Sequence, residues 1–76
     1  MPRLPVLSAK EVIKARDQFG LKVIRQTGNH IHLWNEDRNL LVTVPNHTEL
    51  AKGTLISIIK QARVSRDEFV SALKNE

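Results

Sequence analysis

Three side chains stand out for chemistry: His30, His32 and His47. Imidazole has an ordinary pKa of roughly 6.5, which suits it to proton transfer near neutral pH. His30 directly follows Thr27-Gly28-Asn29, a flexible turn that delivers it to the first position of an expected strand. The glycine lets the backbone come close to another molecule. His30 and His32 share one face of that strand, and His47 lies in a later loop. His-x-His with a third histidine is also a zinc pattern. No cysteine and no well-placed carboxylate completes the ligand set, so no metal and no other cofactor is expected. The plain alternative for each histidine is a surface or packing role, which is common in small domains.

The elements that must position these residues read in chain order. Met1 to Leu7 contains Pro2 and Pro5 and is expected to be extended. Ser8-Ala9-Lys10-Glu11 is a capping box, with Leu7 and Val12 at the staple positions on either side. Ala9, Val12, Ile13 and Phe19 repeat at helical spacing, and Gly20 follows as the C-terminal stop, so one helix is expected up to Phe19. Leu21–Gln26, His30–Trp34 and Leu40–Val44 read as strands. Gly28-Asn29 is a hairpin signal, and Asn35 to Asn39 is a polar turn. Pro45 ends the third strand.

Asn46 to Lys52 is a loop, and Gly53-Thr54 opens a second helix with Leu55, Ile58, Ile59 and Ala62 as its stripe. Ser65-Arg66-Asp67-Glu68 is a second capping box, flanked by Val64 and Phe69 as a second staple. Phe69, Val70 and Leu73 are expected to anchor a final helix. The order α-β-β-β-α-α defines an α+β fold, with a three-stranded antiparallel meander and helices on one face. This is the layer plan of the double-stranded RNA-binding domain. It buries Ile31, Leu33, Val42 and Val44 and leaves His30, His32 and Trp34 on the open face.

With 76 residues, the chain is expected to be a single domain, residues 1–76. No apolar run suits a signal peptide or a membrane span, so a soluble cytoplasmic protein is expected. The net charge of +4 is concentrated at one end. Residues 1–30 hold Arg3, Lys10, Lys14, Arg16, Lys22 and Arg25 against only Glu11 and Asp17. Residues 31–76 are balanced. A basic first half favours a polyanionic partner such as nucleic acid, or serves solubility alone.

Three stretches together resemble one family. They are Thr27-Gly28-Asn29-His30 after a basic strand, then Val42-Thr43-Val44-Pro45-Asn46-His47, then Gly53 to Ala62. In this order and spacing they resemble HicA, the small toxins of HicA–HicB toxin–antitoxin modules, from about Ser8 to Leu73. The resemblance implies a ribonuclease that cuts messenger RNA on a double-stranded-RNA-binding-like fold and is neutralised by a HicB-like antitoxin covering the active site. It also implies that His30 is the functional histidine. Two positions depart from the family pattern. Asn29 stands where serine is usual, and Arg63 stands where a glycine follows Gln-Ala. Arg63 falls at an expected left-handed helix cap, where a side chain costs stability.

RNA carries its own nucleophile, the 2′-hydroxyl. A metal-free ribonuclease then needs a base, donors for the phosphorane oxygens and an acid for the leaving oxygen. His30 is the candidate base. The backbone N–H groups of Gly28 and Asn29 are candidate phosphate contacts, with Lys22 or Arg25 adding charge. Lys52 and Gly53 precede a helix N-terminus, which suits an anion. Lys10 and Lys14 lie one helical turn apart and can follow a phosphate backbone or simply be solvated. His32 is a surface or RNA-contact residue, and His47 contacts phosphate, supplies an acid or packs its loop. Trp34 stacks on a base, covers core or meets a partner. Two other readings stay open: a non-catalytic RNA-binding module of the same fold, and a protein-interaction domain with an acidic partner.

Overall fold

A computed structural model describes residues 4–74. Pro2 and the start of the expected extended segment lie outside them, and residues 4–8 carry no regular structure. The Ser8 hydroxyl accepts from the Glu11 N–H at 3.1 Å, and the Glu11 carboxylate accepts from the Ser8 N–H at 3.0 Å. This capping box opens α1, Ala9–Lys14. Ser65 and Glu68 repeat it, with 3.0 Å in each direction, and open α3, Arg66–Lys74. Each box satisfies donors that a helix leaves unpaired in its first turn. The hydrogen bonds from the Ser65 backbone and then its hydroxyl hold the Glu68 carboxyl below its ordinary pKa.

The first helix is shorter than its apolar spacing predicts. α1 stops at Lys14, and Arg16–Phe19 forms a tighter 3₁₀ turn. The Arg16 guanidinium donates to the Ile13 carbonyl at 3.0 Å, capping the α-helical end. Gly20, at φ +69°, then closes the turn as expected of a stop. The 3₁₀ turn carries Phe19 onto Phe69 of α3, with stacked rings 5.6 Å apart. A tertiary contact thus decides what periodicity alone reads as one continuous helix.

β1 (Lys22–Thr27), β2 (His30–Asn35) and β3 (Leu40–Pro45) form an antiparallel sheet in that order. Leu21, expected to begin β1, instead packs into the core just before it. Ile31 pairs with Val44 and Leu33 with Val42, and all four are buried against the helices. From α2, Lys52–Ala62, the side chains of Leu55, Ile58, Ile59 and Ala62 complete this layer as expected. Leu33, Val42, Val44, Leu55 and Phe69 are the largest fully enclosed side chains. Each stabilises the fold by roughly 1.5–3 kcal/mol relative to exposure. α3 is anchored by Phe69 and Ala72. Leu73, half-buried, also packs against the core as expected, whereas Val70 is half-buried beside the stripe that Phe69, Ala72 and Leu73 define.

Both edges of the sheet have distinct treatment. The Thr43 N–H, pointing away from β2, donates to the Gln61 side chain of α2 at 2.9 Å. All of β1 is exposed, and a register shift between Val23 and Arg25 interrupts its pairing with β2. Asn35, expected to open the polar turn, is instead the last residue of β2, where its pairing with Leu40 extends the ladder, and it is a buried polar residue. Its amide donates to the Phe19 carbonyl at 2.9 Å, and its oxygen accepts from the Arg38 N–H at 3.0 Å. Arg63 terminates α2 in the left-handed conformation, at φ 56° and ψ 45°, where glycine is normally preferred.

Candidate active site

The hairpin between β1 and β2 sets the position of His30. Gly28 takes φ +56°, a conformation that costs a side-chain-bearing residue energy, and a Cβ there would meet no atom within 4 Å. The glycine is therefore needed for the turn itself, and open space surrounds it. Gln26 donates to the Gly28 carbonyl at 3.2 Å. The Asn46 N–H donates to the Asn29 carbonyl, which ties the hairpin turn to the loop after β3. Exposed His30 begins β2, paired with Thr27 on one side and Pro45 on the other.

The same loop brings His47 to this end of the molecule. The His47 N–H donates to the Pro45 carbonyl at 2.9 Å, and its own carbonyl accepts from the Ala9 N–H at 2.9 Å. Leu50, buried, donates through its N–H to the Leu7 carbonyl at 2.7 Å. These bonds gather the His30 turn, the His47 loop and the start of α1, with exposed Lys10, at one pole. Exposed Lys52 begins α2 just beyond the loop, and no side chain caps that helix N-terminus. Asn29 and Gly28 belong to this pole through the turn itself.

Other candidates lie elsewhere. Lys22 pairs with Trp34 at the far end of β1. Thr27 lies five residue steps along the strand from it, roughly 17 Å at about 3.3 Å per step. Lys22 instead borders a shallow depression with Asp17, Trp34, Glu36 and Asp37. It does not join His30. Arg25 sits midway, in register with His32. Lys14 is exposed in the last turn of α1, within the helical layer. Trp34 is half-buried on the open face, opposite exposed Leu41.

His32 has a more specific setting than a surface histidine. It is half-buried at the centre of the open face. Its Nε2 lies 2.7 Å from the Thr27 hydroxyl and its Nδ1 lies 3.3 Å from the Thr43 hydroxyl. One threonine comes from each flanking strand. With both ring nitrogens engaged, His32 is poorly placed as a metal ligand. Among the described residues, no group of three His, Cys, Asp or Glu side chains is arranged to hold a metal ion. Thr27, Thr43 and Asn46 were not singled out from sequence as site residues. The signal for the threonines is the strand alternation that places them on the histidine face.

The fold and this pole define a small α+β domain with a basic first half and an exposed histidine on a hairpin. The family described as HicA toxin of bacterial toxin-antitoxin matches residues 9–64, more than half of the chain, and the chain belongs to that family. It is thus a toxin of a toxin–antitoxin module. No curated protein matches it closely enough to count as a relative. No helix is long and apolar enough to cross a membrane among the described residues.

Proposed function

We propose that this toxin is a metal-independent endoribonuclease acting on mRNA, with His30 as general base. The observation that carries the reading is the exposed imidazole at a glycine turn that the His47 loop holds in place. His30 takes the proton of the RNA 2′-hydroxyl. The 2′-oxygen attacks phosphorus, the bond to the 5′-oxygen breaks, and a 2′,3′-cyclic phosphate remains. The Gly28 and Asn29 N–H groups and the neighbouring cations stabilise the charge developing on the phosphorane oxygens. His47 is the candidate acid for the departing 5′-oxygen. A HicB-like antitoxin neutralises the toxin by covering the His30 pole.

The test is RNA cleavage by wild-type protein and His30→Ala in excess EDTA, with the unfolding midpoint of both recorded. The expected result is cutting by the wild type, cyclic-phosphate ends, and a folded but inactive variant. Cleavage that needs added divalent metal would overturn the metal-independent chemistry. RNA binding without cleavage by the wild type would leave a binding module of the same fold. The antitoxin reading expects a small partner protein encoded in the adjacent reading frame, and an isolated gene would count against it.

A further inference from the structure

The hydrogen bonds of His32 leave the Thr27 hydroxyl in one of two states. With the ring proton on Nδ1, Nε2 is an acceptor, and the Thr27 hydroxyl spends its only proton on it. With the proton on Nε2, the ring donates to the Thr27 oxygen, and the hydroxyl proton is left to point outward. Thr43 permits either state, because its hydroxyl can donate to Nδ1 or accept from it. A doubly protonated ring also fits, donating to both threonines.

Thr27 is directly opposite His30 across the β1–β2 ladder. Side chains so paired have Cβ atoms roughly 4.5–5.5 Å apart. The Thr27 hydroxyl thus stands beside the imidazole proposed to take the 2′-hydroxyl proton and immediately before the Gly28 turn. We propose that Thr27 is a phosphate-binding residue of this site, and that His32 is the positioning residue that frees its hydroxyl proton for a phosphate oxygen. The assignment rests on the RNA-directed reading above.

An anion beside Thr27 selects the state with the proton on Nε2, since only that state offers it a hydrogen bond. The charged and titratable groups around His32 are Arg25, its register partner on β1, and His30, two residues along β2. β3 contributes only Thr43 opposite it. Arg25 adds positive charge to the same row, which favours an anion there.

The test uses the full chain and a 2′-O-methyl oligoribonucleotide, which keeps the phosphates but lacks the attacking hydroxyl. Binding is then measured apart from cleavage. Thr27→Val should weaken binding about tenfold, the loss expected for one hydrogen bond to a charged group. Thr27→Ser should bind within about twofold of wild type, since the hydroxyl remains. Adding His32→Phe to Thr27→Val should cost no more than about twofold further, because both act through one bond. On titration with the oligonucleotide, nitrogen NMR should show His32 protonated at Nε2 in the wild type.

Wild-type affinity in Thr27→Val, or an unprotonated His32 Nε2 with oligonucleotide bound, would overturn the proposal. So would a wild type that does not bind the oligonucleotide. Cleavage decides the other reading independently. A wild type that binds in this pattern but leaves RNA intact keeps Thr27 as a phosphate contact and removes His30 as the base.

Discussion

Arg63 offers a test of whether backbone conformation, rather than side-chain contact, sets the stability at the end of α2. It sits at φ 56° and ψ 45°, on the exposed surface. A residue with a Cβ costs about 1–2 kcal/mol in this region. Glycine removes that cost but loses roughly 0.5–1 kcal/mol more backbone entropy on folding. Arg63→Gly should therefore be more stable than Arg63→Ala by up to about 1.5 kcal/mol, with a central expectation of about 0.75 kcal/mol. Both variants lose the same cation near a helix C-terminus, a contribution of about 0.3–1 kcal/mol, so their difference isolates the backbone. The Arg38 guanidinium donates to the Arg63 carbonyl at 3.4 Å, a contact that both variants keep. Denaturant unfolding reads the free energies, and thermal unfolding should separate the two midpoints by about 2–8 °C. Equal stability of the two variants, or a more stable Arg63→Ala, would refute the reasoning.

Two further outcomes follow from the polar contacts. Asn35→Ala removes the partner of the Phe19 carbonyl and of the Arg38 N–H, and should cost about 1–3 kcal/mol in denaturant unfolding, against less than about 0.5 kcal/mol for His30→Ala at an exposed site. The Glu68 carboxyl has a lowered pKa in the folded chain because of its bonds to Ser65, so its contribution is fully present above the ordinary value of 4.5 and is lost as pH falls through the lower folded value. Acid unfolding monitored by circular dichroism should therefore show less destabilisation below that pH in Glu68→Gln than in the wild type, which loses the charged cap.

Local signals in the sequence translated directly into structure. Ser8 with Glu11 and Ser65 with Glu68 need only their own few residues to form caps, and both formed. The alternation of Ile31, Leu33, Val42 and Val44 fixes the buried face for the same reason. What depended on distant partners was less legible. Phe19 keeps helical spacing with Val12 but leaves the α-helix to stack on Phe69, fifty residues away in sequence. Asn35 looks like any turn residue until Phe19 and Arg38 stand beside it. At the candidate site, the chain spacing carries His30, Gly28 and Asn29 together. The meeting of His32 with Thr27 and Thr43 depends on register across three strands and on side-chain rotamers, which alternation within one strand does not give. Lys22 shows the converse: it is near His30 in sequence and a strand's length away in space.

The Gln61 contact with Thr43 bears on how copies of this toxin can associate. Outward-pointing donors on an antiparallel edge strand come from alternate residues, here Leu41, Thr43 and Pro45 on β3. Proline has no N–H to give, and Gln61 already holds that of Thr43. The β3 side is therefore a chain terminator for strand addition, with Leu41 its one remaining donor. An incoming strand has only β1 to extend. A sheet that can grow at one edge alone ends after a single pairing, so self-association through strands would stop at a closed pair instead of propagating into a fibre.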